Sequence, residues 1–137
     1  MNEASASYIA LAREDLVVAR KLITDHPRHA AFHIEQAAEK LLKAVLSAEG
    51  IFFTASHQLG ALAELLPADH IWRADMMAFD VYTTYATAPR YPRPGGEMPR
   101  TPKKEDLANA LENVGSLVGE IKDWCEEKDA KTPKPKR

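Results

Sequence analysis

The chain has 137 residues, the usual size of one domain. A compact chain of this length buries roughly two thirds of its unfolded surface, so it needs neither a disulfide nor a metal to fold. With 45% hydrophobic and 28% charged residues the composition is that of a globular protein, and a single cysteine, Cys125, excludes a disulfide framework and a four-cysteine zinc site. No apolar run reaches the roughly 20 residues that cross a bilayer, and the N-terminus lacks a basic-then-apolar signal. Cytoplasmic location without membrane contact is therefore expected, and a net charge of −2 argues against electrostatic coating of nucleic acid.

The periodicity predicts four to five helices and no strand. Residues 4–23 place Tyr8, Ala12, Leu16, Ala19 and Ile23 on one face. Residues 28–49 contain no glycine or internal proline, open behind Pro27 and stop at Gly50. Their apolar arc is wide: Ala31, Ile34, Ala38, Leu41, Leu42 and Val45 form its centre. Such an arc packs on more than one neighbour in a bundle, or contacts a second subunit. A short third helix is predicted over 57–66 and a fourth over 68–86. The last opens at Thr101-Pro102 and carries the cleanest stripe, from Leu107 through Val114 to Cys125. Short early connections make this an all-α, antiparallel up-and-down bundle occupying residues 1–128.

Two segments resist helix. Residues 87–102 hold five of the nine prolines and the only Gly-Gly pair, a long loop for a compact domain. Residues 129–137 read as a disordered basic tail. Basic surface is local: Arg90, Arg93, Arg100, Lys103 and Lys104 stand against Glu97 alone.

Several side chains qualify as site candidates. Asp15 falls inside the apolar stripe of the first helix, where a carboxylate needs a partner or must face a polar cleft. His29, His33, Gln36, Lys40 and Lys43 share one polar face of the second helix. The His29/His33 spacing suits a metal, but no third ligand follows, so solvated surface is expected and no metal or cofactor is assigned. His57 opens the third helix. Tyr82, Tyr85, Arg90 and Tyr91 cluster at the exit of the fourth, with Pro89 and Pro92 stiffening the backbone. Tyrosine offers a stacking face and arginine a planar fork for phosphate. Arg28 and His33 form R-x4-H, a spacing that resembles the catalytic pair of certain helical ribonucleases, in which arginine holds phosphate charge and histidine moves a proton. No Ser-His-Asp set, phosphate loop or GxGxxG is present.

Ala31-Phe32-His33 with Gln36-Ala37-Ala38-Glu39-Lys40 and Lys43-Ala44, then His57 with Leu59, then Arg90-Tyr91-Pro92, occur in an order that resembles the HEPN domain (higher eukaryotes and prokaryotes nucleotide-binding) over roughly residues 4–125. The resemblance implies a helical bundle, commonly a homodimer, often paired with a minimal nucleotidyltransferase and in some members a toxin. It also implies nucleotide binding for the subgroup with the Arg-Tyr-Pro loop, here through Arg90 and Tyr91 with His33, Gln36, Lys40 and His57; Tyr85 joins these from the clustering of tyrosines. The family's ribonucleases carry R-x4-6-H near the start of the last helix, and no histidine follows Arg90 in this chain. The expected function is thus a non-catalytic binding module for a nucleotide or a nucleotidyltransferase partner. The alternatives are a metal-independent ribonuclease toxin using Arg28 and His33, and a structural dimerisation domain.

Overall fold

The computed structural model describes residues 1–56 and 58–131; His57, one of the expected site residues, and residues 132–137 of the expected tail lie outside the described residues. Helix α1 (Glu3–Leu22) begins at Asn2, whose side-chain oxygen accepts the Ser5 N–H at 2.8 Å while its amide donates to the Ser47 carbonyl at 2.9 Å. The buried Ser5 hydroxyl donates to the Ala44 carbonyl. These bonds set α1 antiparallel to α2 (Pro27–Ala48), joined by a short turn. Pro27 lies in the first turn of α2, where its missing N–H costs nothing. At the other end Gly50 takes φ +68, and Gly50 and Ile51 donate to Ser47 and Leu46. This left-handed cap satisfies carbonyls that the helix end would otherwise orphan.

Helix α2 is the axis of the bundle. Its Ile34, Leu41, Leu42 and Leu46 are fully buried. It packs on α1, on α3 (Leu59–Ala63), on α5 (Lys104–Lys131) and on a 3-10 segment, Phe79–Ala86. The wide apolar arc is therefore covered within one chain. A second subunit is not needed to bury it, which removes the feature that motivated a purely structural dimerisation domain. No strand occurs among the described residues, and none of the helices found there is long and apolar enough to cross a membrane.

The middle of the chain departs from the predicted pattern. The third helix is one turn, Leu59–Ala63, rather than 57–66. The fourth is α-helical only as α4 (Arg73–Ala78) before tightening into the 3-10 segment. The run Phe79-Asp80-Val81-Tyr82-Thr83-Thr84-Tyr85 is rich in aromatic and β-branched side chains, which lose rotamer freedom in an α-helix. It is held instead by tertiary bonds. The Asp80 carboxylate accepts the Gly60 N–H at 3.0 Å, and the Thr83 hydroxyl accepts that of Leu59 at 3.3 Å. Helix α5 opens at Lys104, after the predicted Thr101-Pro102 start, with Glu105 and Asp106 in its first turn. It then continues through Asp129, Ala130 and Lys131, residues that the sequence pattern places in the tail. Alanine and lysine are good helix formers, and lysines suit the negative end of a helix.

The far ends of α2 and α5 are pinned by one carboxylate. Glu49 accepts from His70 Nε2 at 3.1 Å and from Lys128 Nζ at 2.5 Å. His70 Nδ1 accepts the Trp72 backbone N–H, which leaves Nε2 to carry the proton toward Glu49. Partial burial pushes the Glu49 carboxyl up, but the hydrogen bond and charge of Lys128, joined by those of His70, outweigh it and hold the group below its usual range. A depressed carboxyl contributes stability above its unfolded pKa and loses it as pH falls through the folded value. Glu49→Gln should therefore lower stability at neutral pH by about 1 kcal/mol. Thermal melts of both proteins should draw together only as pH falls through the folded pKa of Glu49, below the usual carboxylate range, because the wild-type carboxyl then becomes neutral too. A gap that persists there would show that shape, not charge, is what glutamine disturbs.

Candidate functional site

The proline-rich loop begins with a short 3-10 turn, Ala88–Arg90, whose Pro89 is buried. The turn seats Arg90 against the first turns of α2. Its guanidinium carbon lies 4.4 Å from the centre of the Phe32 ring and 5.7 Å from that of Tyr91. One Arg90 nitrogen reaches the Ala86 carbonyl at 3.4 Å. Stacking uses the face of the guanidinium and leaves its remaining edge donors for an oxyanion.

Arg90 and Pro89 face Arg28 and His29 across a cavity of about 220 Å³. Neither arginine has a carboxylate within ion-pair distance among the described residues. A cavity with two unneutralised guanidinium groups and a histidine is a site for negative charge. Tyr91 does not line it. It is 57% exposed and borders the next groove, about 320 Å³, together with Thr87, Ala88, Pro92 and Pro94.

Beside the cavity Phe32 stands edge-on to His33, ring centres 5.2 Å apart. His33 Nδ1 lies 2.9 Å from one oxygen of Asp15, and Lys40 Nζ 2.5 Å from the other. Asp15 is thus the partnered buried carboxylate that its place in the apolar stripe required. An ionised carboxylate only accepts, so Nδ1 carries a proton, and in the neutral ring Nε2 then keeps its lone pair. No partner of Nε2 occurs among the described residues.

The expected site residues therefore divide. Arg90 and Arg28 meet in one cavity, and His33 adjoins it through Phe32. Lys40 is committed to Asp15, and the Gln36 amide donates to Glu35 at 2.8 Å. Tyr85 packs on Tyr82, ring centres 5.6 Å apart, and stands outside the cavity; burial raises its hydroxyl pKa, helped by the charge of Asp106 and by Tyr82. Cys125 is buried as its stripe position predicts, and burial pushes its thiol up, away from a reactive thiolate. No cluster of three or more metal-ligating side chains occurs among the described residues.

Two contributors carry no ligand-binding role in the sequence reading. His29 is exposed, as expected of solvated surface, and also borders the cavity. Phe32, noted only within a family motif, is the platform for Arg90. A phenylalanine four residues beyond Arg28, amid the polar face of α2, was the available signal.

The chain is similar to known proteins. A protein of Methanocaldococcus jannaschii named "Putative toxin MJ1304" is 29% identical over 133 residues, covering 88% of each chain. The crystal structure of TT1696 from Thermus thermophilus superposes with a TM-score of 0.72 at 27% identity, covering 93% of this chain and 99% of that one. The HEPN domain family matches residues 6–127, nearly the whole described bundle. The chain belongs to the HEPN domain family.

Proposed function

We propose that the protein is the HEPN module of a toxin–antitoxin pair and that it binds the phosphates of a nucleotide between Arg28 and Arg90. The observation that carries this reading is the shared cavity: two arginines without acidic partners among the described residues, one braced on an aromatic ring. Its 220 Å³ is below the roughly 300 Å³ at which ligand pockets begin, so it suits phosphoryl groups rather than a whole nucleotide. The base then lies toward the neighbouring groove, where Tyr91 offers a stacking face. The name of the archaeal relative supports the toxin–antitoxin setting. A homodimer and a nucleotidyltransferase partner complete the reading, through the family resemblance. Sedimentation and co-purification test these two.

Calorimetric titration with ATP and GTP tests the cavity. Wild-type protein should bind at least one of them. Arg28→Ala and Arg90→Ala should each weaken binding by about 10- to 100-fold, the worth of one charged hydrogen bond. Absence of heat with both nucleotides at millimolar concentration would remove the small-molecule reading.

A second reading rests on the bond between Asp15 and His33. A carboxylate that fixes Nδ1–H makes Nε2 a proton acceptor, as in an acid–base pair. In RNA cleavage Nε2 would take the proton of a ribose 2′-hydroxyl while Arg28 neutralises the phosphate. RNA cleaved in the presence of a chelator by wild type, and left intact by His33→Ala, would favour this reading over simple binding.

A further inference from the structure

A second cavity lies on another side of the bundle, between α1 and α5, and the nucleotide reading does not use it. Its volume is about 260 Å³. Arg13 and Arg20 border it from α1, seven residues and so about 10 Å apart along the helix. The floor is aliphatic: Leu16, Val17 and Val118. Val17 is 48% exposed and carries the apolar surface outward. Gly115 and Gly119 face these residues from α5.

Neither arginine has a carboxylate within ion-pair distance among the described residues. Arg20 is nevertheless placed. One of its terminal nitrogens lies 3.2 Å from where a β-carbon on Gly115 would stand, so the guanidinium rests on bare backbone. Gly119 differs. A β-carbon there would meet nothing within 4 Å. Glycine inside a helix costs roughly 0.5–1 kcal/mol relative to alanine, and nothing in the described packing recovers that cost at Gly119.

We infer that this groove is a docking site for an acidic helical segment of another protein. The charge pattern selects the ligand sign, because two unpaired guanidinium groups two helical turns apart match two carboxylates at i and i+7 on a helix. The floor selects protein over nucleic acid: it has aliphatic side chains for an apolar helix face and no ring on which a base could stack. The open backbone at Gly119 lets such a helix come close. This surface shares no residue with the Arg28/Arg90 cavity, so its fate does not depend on the nucleotide reading.

Two fluorescein-labelled helical peptides of about 20 residues test it by anisotropy against the full chain. One carries glutamates at i and i+7 beside an alanine–leucine face; in the other the glutamates are lysines. Wild type should prefer the glutamate peptide by about tenfold or more. The double variant Arg13→Glu/Arg20→Glu should reverse that preference, which a merely unfolded protein cannot do. Gly119→Leu, whose β-carbon would meet nothing within 4 Å, should keep its helical circular dichroism and lose peptide binding. Equal affinity for both peptides, or unchanged binding by Gly119→Leu, would overturn the inference. So would a single-stranded oligonucleotide that displaces the peptide, or self-association abolished by these variants, since each would name a different occupant.

Discussion

Phe79→Ala should destabilise the protein by about 3–5 kcal/mol, the cost of removing a fully buried aromatic ring and leaving a cavity. For a domain of this size that lowers the melting temperature by roughly 10–20 °C. Phe79 begins the 3-10 segment, and its ring lies 5.8 Å from that of Tyr82. The Tyr82 hydroxyl accepts from Asn113 on α5 at 3.3 Å, and its ring continues to Tyr85. This aromatic row is what fastens a segment of poor helix formers to α2 and α5. The 3-10 segment leads directly into the turn that carries Arg90, so losing the ring loosens one wall of the Arg28/Arg90 cavity. Under the binding reading, nucleotide affinity measured well below the melting point should fall as well. Tyr91→Ala is the control: a ring more than half exposed should change stability by no more than about 0.5 kcal/mol. If Phe79→Ala melts within a few degrees of wild type, the aromatic row is not the fastening.

The parts of this molecule that were legible in sequence are those where one physical cause dominates locally. α1, α2 and α5 announce themselves because each repeats apolar residues at helical spacing over many turns. Gly50 was legible because only glycine relieves the φ of +68 that ends α2. The 3-10 conformation of 79–86 was not, because it is decided elsewhere. Asp80 and Thr83 hold the amides of Gly60 and Leu59, residues remote in the chain, and no window around Tyr82 contains that information. The site divides the same way. Arg90 stands out from local chemistry, an arginine between prolines and tyrosines. Its meeting with Arg28 depends on how the loop crosses the first turn of α2, which spacing does not encode. Asp15 was legible as an anomaly, a carboxylate in an apolar stripe, but its partners His33 and Lys40 follow from the register of α1 on α2.

That register makes Asp15 the other residue whose loss should be felt widely. Asp15→Ala should cost about 2–3 kcal/mol, measured by urea or thermal unfolding at neutral pH. Removing one member of a buried ion pair commonly costs more, about 3–5 kcal/mol. The side chains of Lys40 and His33 are about one quarter exposed, so water recovers part of what the carboxylate supplied. Asp15→Asn separates charge from shape. The amide can still meet either neighbour, but as a neutral group it no longer offsets the Lys40 ammonium, and its NH₂ can donate to His33 Nδ1. That bond would move the imidazole proton to Nε2. Under the binding reading, Asp15→Asn should leave ATP and GTP affinity unchanged, because the phosphates meet Arg28 and Arg90. Under the cleavage reading, the same change should abolish turnover while RNA binding persists, because Nε2 no longer has a lone pair to accept the proton. The stability loss is common to both readings, and the nucleotide and RNA measurements on one folded variant discriminate between them. A variant as stable as wild type would mean that Asp15 is not the carboxylate that ties α1 to α2.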